Sequence, residues 1–203
     1  MKKLATLFSL FLLLAGMIPT AAAAGIVTIQ EEACVLDLDT FTLTLSSGDA
    51  YQTGPKDDAA LMLAVVPDYA PTALYQGSIS VCWLEPDTYA LFPTDDDGLL
   101  AFATANGNDS AEQVTQSGIP CTMISCQVLD NVTIDGVEFM VVEHISLWDY
   151  SSITGGQLGE LQVRSTQFIA SFADGGYVFA LNSYSDEEYQ SLLSVMNTFD
   201  LKD

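Results

Sequence analysis

Residues 162–199 carry the sequence QVRSTQFIASFADGGYVFALNSYSDEEYQSLLSVMNTF, and this stretch decides the fold. Its first part predicts a strand from Gln162 to Phe172, because apolar side chains alternate and Phe168, Ala170 and Phe172 share one face. The turn-forming residues 173–176 (ADGG) lead into a second strand from Tyr177 to Leu181. The two strands are therefore expected to form an antiparallel hairpin.

The last part of the same stretch predicts an amphipathic helix. Ser185 is a typical N-cap residue, and Glu188, three positions on, completes a capping box. The acidic residues 186 and 187 lie where the helix dipole favours negative charge. One stripe of the helix carries the apolar side chains Tyr189, Leu192, Leu193, Met196 and Phe199. Because this stripe must be buried, we expect the helix to cover one face of a sheet.

A second hairpin is predicted at residues 132–139 (VTIDGVEF), where Asp135-Gly136 tolerates the positive φ angles of a type I′ turn. Its second arm continues to about Leu147. Residues 34–45 alternate as one strand whose buried face changes near Thr40. Further strands are predicted at Gly77–Leu84 and Cys121–Leu129.

Other segments are less regular. Ala59–Val66 is a continuous apolar run that fits either a short helix or a buried strand, and periodicity does not separate the two. Residues 86–98 are expected to form a loop, as are residues 151–159. Ser110-Ala111-Glu112-Gln113 forms a capping box, which predicts a short helix that Gly118 ends.

The predicted class is α+β. The segments IDGVEF (134–139), DGGYVFAL (174–181) and MNTF (196–199), in this order, resemble the PsbP-like domain of secreted bacterial proteins and lipoproteins. The resemblance extends as a pattern over about residues 35–200. It implies an α/β/α sandwich with a central, mainly antiparallel sheet and a C-terminal amphipathic helix. It also implies a non-catalytic binding or assembly module, and it brings no catalytic residues.

The N-terminus has the order of a secretory signal peptide. Lys2 and Lys3 precede an uncharged apolar run at residues 4–18, and Ala21–Ala24 supplies small residues for cleavage. We predict cleavage after Ala24, which leaves residues 25–203 as a single domain outside the cytoplasm. The alternative is an uncleaved anchoring helix, but the apolar run is shorter than the roughly 20 residues that span a bilayer.

The net charge of the chain excludes some classes of function. After Ala24, 27 acidic residues face three basic ones, a formal charge of −24. Nucleic-acid binding depends on Lys and Arg neutralising phosphates, so this class is excluded, as is attachment to anionic membranes. No glycine-rich loop with a lysine is present to hold a phosphate, and nothing in the sequence points to a cofactor.

The cysteines Cys34, Cys82, Cys121 and Cys126 are disulfide candidates in an exported chain, with three connectivities open. The alternative is that at least one pair stays reduced and buried. Cys121 and Cys126 make a poor half of a zinc site, because no second pair follows and His144 is the only histidine.

Three sets of residues are weak candidates for catalysis, metal binding or ligand recognition. His144 lies in an apolar strand and is expected to be a packed or surface residue, although a hydrolase would need it as the base. Asp95 and Asp97 are weak calcium candidates, but the EF-hand pattern fails at Pro93 and Thr104. Trp148, Tyr150 and Tyr184 could form an exposed recognition patch, but packing in the core or at its rim is the more common position of such residues.

These observations favour an exported, non-catalytic binding or assembly module. Its partner would be an unidentified protein or a neutral or cationic ligand, and the oligomeric state stays open. The alternative is a small secreted hydrolase that uses a carboxylate pair or His144.

Overall fold

The computed structural model describes residues 28–70, 73 and 75–202; the predicted signal peptide lies outside these residues. The strands are β1 (Thr28–Ile29), β2 (Cys34–Asp37), β3 (Phe41–Leu45), β4 (Ala50–Thr53), β5 (Leu61–Val66), β6 (Ser78–Leu84), β7 (Cys121–Ile134), β8 (Val137–Asp149), β9 (Glu160–Phe172), β10 (Gly175–Ser183) and β11 (Asp200–Leu201). The helices are α1 (Pro86–Tyr89), α2 (Asp96–Gln116), α3 (Ser151–Thr154) and α4 (Asp186–Met196). None of these helices is long and apolar enough to cross a membrane.

Most strands belong to one antiparallel sheet. Its order is β1-β4-β5-β6-β10-β9-β8-β7, and a separate small sheet has the order β11-β3-β2. Both predicted hairpins are confirmed. Asp135 and Gly136 turn β7 into β8 with φ angles of 48° and 75°, as a type I′ turn requires. The predicted α+β class, with a large antiparallel sheet and few helices, is therefore confirmed.

The β9–β10 hairpin lies at the centre of the large sheet, and every residue of β10 is buried. Alternate side chains of β10 enter two different apolar clusters. Tyr177, Phe179 and Leu181 pack on one face of the sheet with α4 and β3. Val178 and Ala180 pack on the other face with the first turns of α2. The sheet is thus covered on both faces around this strand.

Helix α4 begins where the sequence predicts. Ser185 Oγ accepts a hydrogen bond from the Glu188 backbone at 3.2 Å. A capping box also requires the Glu188 carboxylate to accept from the backbone N–H of the N-cap residue, and this part of the prediction is wrong. The carboxylate accepts from the backbone N–H groups of Tyr184 (2.7 Å) and Gly77 (3.2 Å) instead. Glu188 thereby links the helix N-terminus to the start of β6.

Residues 34–45 form two strands rather than the single predicted strand. β2 and β3 pair antiparallel, with Cys34 opposite Leu45 and Asp37 opposite Thr42. The change of buried face near Thr40 is the chain reversal between them, and the Leu38 N–H donates to the Phe41 carbonyl across it. β3 places Phe41, Leu43 and Leu45 in the core.

The apolar run at residues 59–66 is a strand, β5, and it pairs with both β4 and β6. Its β-branched end (Val65, Val66) and its near-complete burial fit a central strand.

The structure differs most from the predicted elements at α2. Residues 86–98 contain the short helix α1 and the start of the 21-residue helix α2, not a loop. Asp95, rather than Ser110, is the N-cap residue of α2, and Ser110 is a buried residue in its interior. The predicted end is correct, since Gly118 follows the helix with a φ of 103°. Residues 151–154, predicted to be loop, form the single turn of α3.

The packing predicts a large loss of stability when Phe199 is replaced by alanine. Phe199 is buried after α4, and its ring lies 5.2 Å from that of Phe41 and 5.5 Å from that of Phe139. Removing a buried aromatic side chain leaves a cavity and costs about 3–5 kcal/mol. Urea unfolding should show this loss for Phe199→Ala.

Ile153→Ala is the matched control, because Ile153 is exposed on α3 and its removal should change the free energy of unfolding by less than about 0.5 kcal/mol. Equal stability of the Phe199→Ala variant and the wild type would contradict the described core.

Candidate functional site

His144 is a packed residue. It is 2% exposed, and its Nε2 donates a hydrogen bond to the Ala103 carbonyl of α2 at 3.0 Å. A Cβ atom on Gly107 would lie 3.0 Å from the imidazole, so helix and ring are in close contact. Burial lowers the pKa of His144, although the bond to Ala103 and the nearby Glu143 carboxylate act in the opposite direction. A base in this position does not reach a substrate.

Asp95 and Asp97 stabilise the N-terminus of α2. Asp95 Oδ1 accepts from the Gly98 backbone N–H at 2.8 Å, which satisfies a free donor of the first turn. Asp96 and Asp97 occupy that turn, where the helix dipole stabilises negative charge. Within residues 28–70, 73 and 75–202, no group of three or more His, Cys, Asp or Glu side chains is arranged to hold a metal ion.

All four disulfide candidates are free thiols in the structure. Cys82 is buried in the core between the sheet and α2, and burial raises the pKa of its thiol. Burial likewise raises the pKa of Cys121 to about 11, despite a hydrogen bond with Ser146. Cys121 and Cys126 lie on β7 opposite Trp148 and His144, respectively.

The three aromatic candidates are packed in the interior and do not form an exposed patch. Trp148 and Tyr150 are 1% and 3% exposed, and they stack against each other with ring centroids 6.0 Å apart. The Trp148 Nε1–H donates to Ser146 Oγ at 2.8 Å, and the Tyr150 and Tyr184 hydroxyl groups lie 3.2 Å apart. These side chains form a core cluster near the end of α2.

A polar cluster that the sequence analysis missed joins the small sheet to the β9–β10 turn. Asp174 Oδ2 accepts hydrogen bonds from Thr40 and Tyr177, each at 3.0 Å, and forms an ion pair with Lys56. Burial alone would raise the pKa of Asp174, but these bonds lower it below its usual value. Lys56 also lies 5.4 Å from the centre of the Trp83 ring system. The cluster fixes the position of the small sheet.

Within the described part of the chain, no element covers one part of the large sheet. On the face opposite α2, the row Thr122–Leu147–Gln162 runs across β7, β8 and β9, and Gln127 lies opposite Glu143 on β7 and β8. The side chains that we call the open face are exposed or half-exposed, and they are Thr122, Gln127, Glu143, Ile145, Leu147 and Gln162. The adjoining Arg164 pairs with Glu143 at 3.4 Å and with Asp186 at 2.9 Å.

The open face differs in charge from the rest of the protein. Its one carboxylate, Glu143, is neutralised by Arg164 and accepts a hydrogen bond from Gln127 at 2.8 Å. The remaining members are neutral, although 27 acidic residues give the chain a formal charge of −22. A surface without net charge costs less to dehydrate than a charged one, so it is better suited to contact another molecule than the acidic remainder of the surface.

No model of a known protein family matches the sequence, and no curated protein matches it either. The fold is similar to the solution structure of PsbP from the cyanobacterium Synechocystis sp. PCC 6803, with a TM-score of 0.50 and 13% identity over 85% of this chain and 94% of that chain. The Ran-binding protein Mog1p of Saccharomyces cerevisiae has a TM-score of 0.44 and 12% identity, covering 86% of this chain and 97% of that chain. LpqN of Mycobacterium tuberculosis, involved in cell envelope biogenesis, has a TM-score of 0.41 and 12% identity, covering 92% and 97%. The protein thus has a PsbP-like fold, as the sequence resemblance implied.

The open face could be found from the sequence only in part. The alternation in residues 121–129 predicts a strand, but it does not show which of its faces another element covers. That depends on helix α2, which packs on the other face and whose length was not predicted. The Lys56–Asp174 pair joins residues 118 positions apart and left no local signal.

The burial of His144 predicts a pH-dependent stability. Its pKa is lowered from 6.5 in the folded state, so the unfolded chain binds a proton first as the pH falls. Stability should therefore be complete above about pH 6.5 and decline below it, with a slope of at most about 1.4 kcal/mol per pH unit. Urea unfolding at several pH values between about 7.5 and 5.5 measures this slope.

The control is His144→Gln, since an uncharged amide still donates to Ala103 and no other histidine is present. The variant should lose the slope in this pH range. The same slope in both proteins, or a wild-type stability that rises on acidification, would show that His144 is not buried as described.

Proposed function

We propose that this protein is an exported, non-catalytic binding or assembly module that uses the open face to contact a protein or another neutral or cationic ligand. In this proposal residues 1–24 direct export and are removed, and residues 25–203 act as a single domain that does not insert into a membrane. The observation that carries the proposal is the neutral, solvent-exposed open face on an otherwise strongly acidic chain.

The geometry of the sheet supports a binding role. The residues of the open face come from three long, mutually paired strands, so their backbone positions are fixed by ladder hydrogen bonds. A surface held in this way needs little ordering when a ligand binds, which favours affinity. Ile145 and Leu147 supply apolar area, and Thr122, Gln127 and Gln162 supply hydrogen-bonding groups.

The proposed layers add to this rigidity. We describe the domain as an α/β/α sandwich in which α2 forms one outer layer and α4, together with the small sheet, forms the other. α2 packs on the opposite side of β7 and β8 from the open face. A ligand on the open face would therefore contact a sheet that is supported from behind.

The sole histidine supports the non-catalytic part of the proposal. A serine or cysteine hydrolase needs a base that reaches both the nucleophile and the substrate. His144 is buried beneath α2 and hydrogen-bonded to its backbone. The thiols of Cys82, Cys121 and Cys126 have raised pKa values, so they are poor nucleophiles.

Site-specific photo-crosslinking in the native host tests the proposal. A photoreactive amino acid at Leu147, in the open face, should give a crosslinked adduct in the extracytoplasmic fraction. Protein recovered from that fraction should begin at or near Gly25 when its N-terminus is determined by mass spectrometry.

The same photoreactive group at Ile153 is the control, because Ile153 is exposed but belongs to α3. Adducts at Ile153 and none at Leu147 would contradict the assignment of the surface. An intact N-terminus on protein that stays in the cytoplasm would contradict export.

A further inference from the structure

The strand β7 forms a long open edge of the large sheet. It has 14 residues and lies last in the strand order, so among the residues that the structure describes it pairs only with β8. The opposite edge strand, β1, has two residues. Backbone groups along an open edge form hydrogen bonds readily with another strand, and a longer edge offers more of them.

This edge lacks the usual protection by charge. Natural edge strands commonly carry lysines, prolines or inward-pointing charges that prevent pairing with other chains. β7 contains neither lysine nor proline, and Asp130 is its one charged residue. The pairing register shifts between Met123 and Ser125 and again between Leu129 and Val132. These irregularities bound a regular segment of five residues, Ser125–Leu129, which we call the edge segment.

The direction of the backbone groups in the edge segment follows from its pairing. The Asp149 N–H donates to the Pro120 carbonyl, and Cys121 N–H bonds away from β8 to Thr115 Oγ1. Along β8, residues that exchange backbone hydrogen bonds with β7 alternate with residues that do not. The β8 residues opposite Cys126 and Val128 are of the second kind, so these pairs have no mutual hydrogen bonds. The N–H and C=O groups of Cys126 and Val128 therefore point away from β8.

The charges around the edge segment favour a cationic occupant. The three basic residues after Ala24 are each in an ion pair: Lys56 with Asp174, Arg164 with Glu143 and Asp186, and Lys202 with Asp37. The other acidic residues greatly outnumber these, and exposed Asp130 follows the edge segment directly. Such a field attracts positive charge and repels another copy of the same chain.

We propose that an extended, lysine- or arginine-bearing segment of a partner protein adds to β7 as a ninth strand of the large sheet. Its backbone would bond to Cys126 and Val128, and its basic side chains would lie next to Asp130 and the surrounding acidic field. Strand addition of this kind takes affinity from the main chain and selectivity from the side chains. This inference rests on the proposed function, because the open face lies on the same half of the sheet as β7. It names the class of partner that would bind there.

Synthetic peptides provide the test. The first probe is Lys-Lys-Val-Thr-Val-Thr-Val-Lys-Lys with a fluorescent label, and the second has glutamate in place of each lysine. Fluorescence anisotropy at low salt should give a Kd at least tenfold lower for the lysine peptide. A third peptide, N-methylated at alternate residues, lacks the donors needed for strand pairing and should bind at least tenfold more weakly than the first.

Val128→Pro removes an outward N–H without breaking the β7–β8 ladder, and proline is tolerated in edge strands with this orientation. It should weaken binding of the lysine peptide at least tenfold, while Val128→Ile, which retains the N–H, should leave it unchanged. Nuclear Overhauser contacts from the peptide to the α proton of Gln127 would place the new strand beside β7.

Binding that is insensitive to N-methylation, or equal for the lysine and glutamate peptides, would overturn the inference. So would a dimer of the protein joined through β7 in size-exclusion chromatography and crosslinking, because the occupant would then be a second copy. Crosslinked adducts at Leu147 without peptide addition to β7 would contradict this inference but not the proposed function. The failure of one is therefore distinguishable from the failure of the other.

Discussion

The packing of the β9–β10 hairpin on both of its faces is the interaction on which the rest of the structure depends. One set of β10 side chains meets α4 and the small sheet, and the alternate set meets α2. Because the sheet is covered on both faces here, β10 has no exposed residue, and its central residues 177–181 are all apolar. The Phe41, Phe139, Phe179 and Phe199 rings, 5.2–5.9 Å apart where they pair, join the hairpin to the elements that cover it.

The parts of the fold that the sequence predicts are those with strong local signals. The Asp135-Gly136 turn and the Ser185 cap are each defined by neighbouring residues, and both are found in the structure. Helix α2 was missed because Asn106, Gly107, Asn108, Asp109 and Ser110 are poor helix formers that interrupt its apolar stripe. Asn106 and Ser110 are nevertheless buried, so tertiary packing overrides their local preference. The open face was not predicted, since it depends on which side of the sheet α2 covers.

The same packing leaves the two halves of the sheet unequal. Around β10 both faces are covered, whereas toward β7 one face and the edge are free to contact solvent. The covered core and the proposed binding surface therefore lie on different strands of one sheet. A partner could bind at β7 without disturbing the core, and the acidic surface would select against anionic partners. Each candidate for chemistry has a structural role instead. Cys82 is buried in the core, His144 donates to the backbone of α2, and Asp95 caps that helix.

Amide hydrogen exchange of the protein alone tests this division most directly. The amides of Phe179 and Leu181 in β10 should exchange only through global unfolding, so their exchange should follow the free energy of unfolding as denaturant is added. The outward amides of Cys126 and Val128 should exchange orders of magnitude faster and without this dependence. Equal protection of the two strands would contradict the account, because β7 would then be covered and the sheet would have no open edge.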